Sequence, residues 1–210
     1  MNGSVVRATA EDGVELQGLN FRSENNQSST VIVHLHGTGG NFYRNPFTEH
    51  FADAYPKIGY SFMTVNLRNH DDGSINEKFE DSTRDIDCWM SRAFDLGYQQ
   101  IILQGHSLGA LKAVYYLSRK PSKEVPKVIL LSPFDIIAFY SSMHPENRTS
   151  LVTSVRQIAE KDPSALVPKE LWSTWAISAG TFLNLVDQQT SADIFPFRVS
   201  RNMFSDIIRI

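Results

Sequence analysis

Apolar residues fall into short dense runs separated by amphipathic stretches about a dozen residues long, and this alternation predicts most of the fold. Thr30-Val31-Ile32-Val33-His34-Leu35-His36, Tyr60 to Leu67, Ile101-Ile102-Leu103-Gln104-Gly105 and Lys127 to Ser132 are each too short for a helix. They read as strands buried on both faces. Between them, apolar positions recur at helical spacing. Phe47, Phe51, Ala54, Tyr55 and Ile58 follow Asn45 and Pro46, which suit an N-cap and a first helical position. Ser82 and Asp85 are spaced as a capping box before the stripe Ile86, Trp89, Met90 and Ala93, and Gly97 suits its end. Ala110, Leu111, Val114 and Tyr115 mark a third helix, closed by Pro121. Four buried strands alternating with helices predict the α/β class, a mostly parallel sheet with right-handed crossovers. Upstream, Val5 to Leu19 reads as a hairpin about Asp12-Gly13, an antiparallel edge to that sheet.

The rhythm changes at Pro133. Phe134 to Arg201 carries helical patterns such as Leu151, Val152, Val155, Ile158 and Ala159, with Trp172, Trp175 and Phe182 beyond them and no alternating strand. The expected division is a core over residues 1–133, a helical lid or cap insertion over 134–205, and the start of a further core strand over 206–210. The last strands and helices of a complete sheet are expected to be missing, leaving the strand at 127–132 with an unpaired edge prone to self-association.

Composition narrows the class. With 41% hydrophobic and 20% charged residues among 210, the chain is globular and not disordered. A net charge of −3, with Lys and Arg scattered, removes the phosphate attraction that a nucleic-acid partner needs. No window approaches the roughly 20 apolar residues of a membrane helix, and residues 1–13 lack the pattern of a secretion signal. No membrane partner and a cytoplasmic location are therefore expected. The single cysteine, Cys88, excludes an internal disulfide framework and reads as a core thiol.

The most specific chemical signal is Gly105-His106-Ser107-Leu108-Gly109, a G-x-S-x-G between a buried strand and an amphipathic helix. It reads as a nucleophile elbow, a turn that projects the serine hydroxyl above the sheet edge while Gly105 and Gly109 relieve crowding. Acyl transfer also needs donors aimed at the developing oxyanion. The N–H of Leu108, at a helix N-terminus, suits one, and Thr38 or Gly39 in the loop His36-Gly37-Thr38-Gly39-Gly40 suits another. That loop matches neither dinucleotide nor P-loop patterns, so no cofactor is expected.

These residues resemble the α/β-hydrolase fold: HGTGG after one strand, NLRNHDDG after the next and GHSLG after the third. NLRNHD and Ser178 to Arg198 are similar to the branch that includes fungal siderophore esterases and uncharacterised bacterial relatives. The resemblance implies Ser107 as nucleophile, Thr38 and Leu108 as oxyanion-hole donors, and a lid over an acyl or ester pocket. Members take the catalytic acid and histidine from loops after later strands, and those loops are expected to be missing here.

A serine needs a base, and the base an orienting carboxylate. His70, in the loop after the second parallel strand, is the best substitute base, and Asp135, just past Ser132, a candidate acid. His106 points away from its neighbour at an elbow, His50 reads as exposed, and His144 lies in the expected lid. His34 and His36 share a strand face and form an H-x-H pair, a rival metal site, although buried packing with satisfied nitrogens fits the strand better, so no metal is expected. Asp71-Asp72 read as turn contacts and surface charge. Trp172, Trp175, Phe182, Phe195 and Phe197 suit either a substrate channel or lid packing, with packing favoured. The expected function is serine-dependent hydrolysis of a small-molecule carboxylic ester, and the alternative is an inactive scaffold or half of a complementing assembly.

Overall fold

The computed structural model describes residues 3–24, 28–44, 46–187 and 190–194. Strands β1 (Gly3–Thr9) and β2 (Glu15–Phe21) form the expected hairpin, with Gly13 at φ +85° in its turn. β3 (Thr30–Leu35), β4 (Ser61–Val65) and β5 (Gln100–His106) are buried runs as expected, whereas β6 (Lys127–Leu131) forms the expected strand but is only half-buried or exposed along its length, because it lies at the margin of the described sheet. Helices α1 (Pro46–Lys57), α2 (Ser82–Asp95) and α3 (Leu108–Arg119) connect them. The strands form one sheet in the order β1-β2-β4-β3-β5-β6. β1–β2 and β2–β4 are antiparallel, and β4, β3, β5 and β6 run parallel.

Side chains alternate across this sheet, so each parallel strand feeds two cores. Val31, Val33 and Leu35 face Ile86 and Trp89 of α2 and Ala113 and Leu117 of α3. Ile32 faces the opposite way with Phe62 and Ile102, under Ala52 of α1. The result is the helix–sheet–helix layering that buried parallel strands require. β6 lies at one margin of the described sheet, and its Leu130 is 42% exposed.

Beyond β6, α4 (Ile136–Met143), α5 (Arg148–Lys161) and α6 (Ala179–Val186) pack into a separate apolar cluster with Tyr140, Val155, Trp172 and Phe182, seated on Leu108 and Leu111 of α3. The region is helical as expected, apart from a single bridge between Leu166 and Ser178. The expected strand at 206–210, and Phe195 and Phe197, lie outside the described residues, as does the expected N-cap Asn45.

Two local expectations are corrected. Ile58 is not on the buried stripe of α1: the helix ends at Lys57, Gly59 turns the chain at φ +89°, and Ile58 is 66% exposed. Nor do Ser82 and Asp85 form a capping box. Ser82 is the first helical residue and donates its hydroxyl to the Phe79 carbonyl at 2.6 Å. Asp85 instead accepts from the Arg68 backbone N–H at 2.7 Å and the Arg68 Nε at 2.9 Å. A fully buried carboxylate gains more from a guanidinium than from a neutral backbone N–H, so the long-range partner wins.

Candidate active site

Ser107 joins β5 to α3 with φ +55° and ψ −124°, a conformation that costs a non-glycine residue roughly 1–3 kcal/mol. The ends are fixed by strand and helix. The Ser107 N–H donates to the Leu131 carbonyl at 3.0 Å, extending the β5–β6 ladder, and the Ser107 carbonyl accepts from the Ala110 N–H at 3.1 Å to start α3. The flanking glycines are required by close approach. A Cβ on Gly105 would lie 2.5 Å from the Ala110 nitrogen, and one on Gly109 would lie 2.5 Å from the His36 carbonyl oxygen.

The loop after β3 crosses directly over the serine: a Cβ on Gly37 would lie 2.8 Å from Ser107 Cβ. Its anchor is His36, whose fully buried ring has both nitrogens engaged. Nε2 accepts from the Leu67 N–H at 3.0 Å, so Nδ1 carries the proton and donates to the Gly37 carbonyl at 2.8 Å. Burial, with Lys112 adding to it, pushes the His36 pKa down to about 3. His36 is therefore a neutral support and not a base. His34 is similarly held: Nδ1 accepts from the Gln104 amide at 3.0 Å, and burial brings its pKa down to about 4. The H-x-H pair is committed to packing, and no group of three or more His, Cys, Asp or Glu among the described residues is placed to hold a metal ion.

A bond of 3.1 Å from the Gly40 N–H to the Gly37 carbonyl closes a turn around Thr38 and Gly39. Among the described residues, neither Thr38 nor Gly39 spends its N–H on a backbone partner. The N–H of Leu108, first residue of α3, likewise has no carbonyl one turn behind it. Thr38, Gly39 and Ser107 line one cleft.

That cleft has a volume of about 960 Å³. Ser107, Thr38 and Gly39 line one part, and Phe47, Phe134, Phe139 and Trp175 form an aromatic wall. Tyr43, Arg44, Asp71 and Asp72 line a polar part. Of the tryptophans and Phe182, only Trp175 faces the cleft; Trp172 and Phe182 are buried against Tyr140 in the helical cluster. His106 lines the cleft with its ring 4.8 Å from that of Phe47, and burial lowers its pKa.

His70 and Asp135 do not line this cleft. His70 Nδ1 is paired with Asp71 Oδ2 at 2.7 Å, and Asp135 caps α4 by accepting from the Ala138 N–H at 2.8 Å. His50 is exposed on α1. Among the described residues, none hydrogen-bonds the Ser107 hydroxyl. Sequence reasoning missed the side-chain pairings around the site. Lys112 of α3 and Glu77 form a fully buried ion pair, and Asp71, read as a surface turn residue, accepts from Tyr43 and Asn41 inside the cleft.

The family model described as the alpha/beta hydrolase fold matches residues 30–168, from β3 through α5. No curated protein sequence matches the chain. Among solved structures, the siderophore hydrolase EstB from Aspergillus fumigatus superposes with a TM-score of 0.69 at 17% identity, covering 98% of this chain and 70% of its own. The esterase Pf2001 of Pyrococcus furiosus gives 0.55 at 23% identity over 67% of this chain and 55% of its own. Est1E from Butyrivibrio proteoclasticus, solved with ferulic acid bound, gives 0.62 at 15% identity over 84% of this chain and 68% of its own. The chain thus spans between 55% and 70% of the length of these proteins. The order of its strands, the serine between β5 and α3 and the matched segment agree: the chain belongs to the α/β-hydrolase fold family.

Proposed function

We propose that this chain carries the acyl-transfer site of a serine-dependent carboxylic ester hydrolase. The observation that carries the reading is Ser107, held at φ +55° above the sheet edge with its hydroxyl in the same cleft as the turn at Thr38. In the proposed reaction Ser107 Oγ attacks the ester carbonyl carbon and gives its proton to a base. The N–H groups of Thr38 and Leu108 receive the oxyanion, the alcohol departs, and water hydrolyses the acyl-enzyme. A strained, rigid serine needs no reorganisation on attack, which favours the transition state over the bound ester. The cleft volume lies near the upper end of small-molecule sites, so a substrate larger than a simple acetate ester fits it. Helices α4–α6 act as the cap, contributing Phe139 of α4 and, from the segment between α5 and α6, Trp175. The neighbours EstB and Pf2001, a siderophore hydrolase and an esterase, support an ester as substrate.

The second reading, an unpowered scaffold, is favoured by one observation: no described side chain bonds the Ser107 hydroxyl, and neither His70 nor Asp135 lines the cleft. Intact mass after incubation with a fluorophosphonate separates the two. One adduct on the parent and none on Ser107→Ala is the expected result, with His70→Ala asking whether that imidazole contributes. No adduct on folded parent protein refutes the hydrolase reading in favour of the scaffold.

A further inference from the structure

Asp71 is an unusual residue for a surface turn. It has φ +51°, unfavourable for a side chain that is not glycine, and it opens a 3₁₀ turn, Asp71–Asn76. Its backbone N–H donates to the Gly40 carbonyl at 3.2 Å. Its carboxylate accepts from three side chains: Asn41 Nδ2 at 2.5 Å on Oδ1, and the Tyr43 hydroxyl and His70 Nδ1, at 2.7 Å, on Oδ2. These donors, Tyr43 foremost, hold the carboxyl down to about 2, so it is ionised throughout the neutral range. Asn41 in turn accepts from the Tyr43 N–H at 3.0 Å and the Arg44 N–H, which makes it a splint for its own loop.

Among the described residues, the loop at 37–44 and the loop after β4 are joined by four such bonds. One runs from the Phe42 N–H to Asn66 Oδ1 at 3.0 Å. The other three involve Asp71. We propose that Asp71 is a positioning residue for the reaction, fixing the loop that presents the Thr38 N–H over Ser107; the proposal rests on the ester-hydrolase reading above for what that N–H does. Without the Asp71 carboxylate the loop keeps its hinge at His36, the backbone bond from the Asp71 N–H to the Gly40 carbonyl and the cross-link at Phe42, and loses both side-chain ties through Asn41 and Tyr43. Its N–H groups then wander relative to the serine, and a misplacement of about 1 Å costs roughly 100-fold in rate.

The test pairs two readouts on the parent, Asp71→Ala, Asp71→Asn, Tyr43→Phe and the exchange Asn41→Asp with Asp71→Asn. The first is hydrogen exchange of the amides of Gly40, Phe42, Tyr43 and Arg44, which reports the loop whether or not the serine reacts. The second is fluorophosphonate labelling resolved into a limiting rate and a half-saturating concentration. Asp71→Ala is expected to raise exchange at these amides at least tenfold and lower the limiting rate about 10- to 100-fold, by the scale of a lost oxyanion donor, with half-saturation nearly unchanged. Asp71→Asn falls between, and the exchange of the two side chains restores both readouts, because the amide placed at position 71 then donates to the carboxylate placed at position 41. Should Asp71→Ala fail to fold, Tyr43→Phe, which deletes one hydroxyl, carries the same test at smaller amplitude. Exchange at parent rates in these variants overturns the proposal, as does looser exchange with an unaltered limiting rate. A parent that takes no adduct refutes the ester-hydrolase reading instead, and the exchange data alone then decide whether Asp71 holds the loop.

Discussion

Mild acid is expected to destabilise this protein through two buried histidines. His34 and His36 are fully buried, with nitrogens committed as acceptors to Gln104 and to the Leu67 N–H. Their pKa values fall from 6.5 to about 4 and about 3, chiefly by burial. In the unfolded chain both recover an ordinary value, so below pH 6.5 the unfolded state binds protons that the folded state refuses. Stability is complete above that value and is lost as pH falls towards the folded pKa values. Each histidine then costs about 1.4 kcal/mol per pH unit, or about 3 kcal/mol for the pair between pH 7.5 and 5.5. The half-buried His106, also lowered, adds in the same direction. Carboxylates contribute little in this window, because their unfolded values lie near pH 4. Urea midpoints at half-unit pH steps measure the effect: at 1–3 kcal/mol per molar, the midpoint is expected to fall by about 1–3 M. In His34→Gln the slope halves. A midpoint constant from pH 7.5 to 5.5 refutes the assignment of both rings as neutral and proton-excluding.

Other outcomes follow from the packing. Lys112→Met strands the Glu77 carboxylate in a buried site and is expected to lose about 3–5 kcal/mol by urea unfolding, whereas adding Glu77→Leu recovers most of it. Gly109→Ala places a methyl 2.5 Å from the His36 carbonyl oxygen and costs about 3 kcal/mol or more, while Gly73→Ala, 3.5 Å from its nearest neighbour, stays near parent stability in the same assay. Cys88, half-buried with its pKa pushed up to about 12 by burial, resists iodoacetamide at pH 8 in the folded protein and reacts after denaturation.

What was legible in the sequence is what local rules encode. Dense apolar runs such as Val31-Ile32-Val33 have to be covered on both sides, and alternation with amphipathic stretches leaves a layered parallel sheet as the economical solution. Gly105 and Gly109 were equally readable, since the contacts that forbid a Cβ there involve the backbone of the elbow itself and of the adjoining strand. Even so, neighbouring residues did not settle Asp85: a helix start three residues after a serine satisfied the local pattern, and Arg68, 17 positions away, took the carboxylate.

The surroundings of the serine were decided by tertiary structure. Tyr43 and Asp71 are 28 residues apart, and Lys112 and Glu77 have no periodicity that pairs them. They meet because β3 lies between β4 and β5, which brings the loop at 37–44, the loop at 66–73 and the elbow to one edge of the sheet. Trp172 and Trp175 make the same point, three residues apart yet one in a core and one on the cleft wall. Backbone preference and burial period are properties of a few consecutive residues, and a run of sequence carries them whole. Which loop faces which depends on strand order, and there the long-range hydrogen bonds and buried charges make their choice.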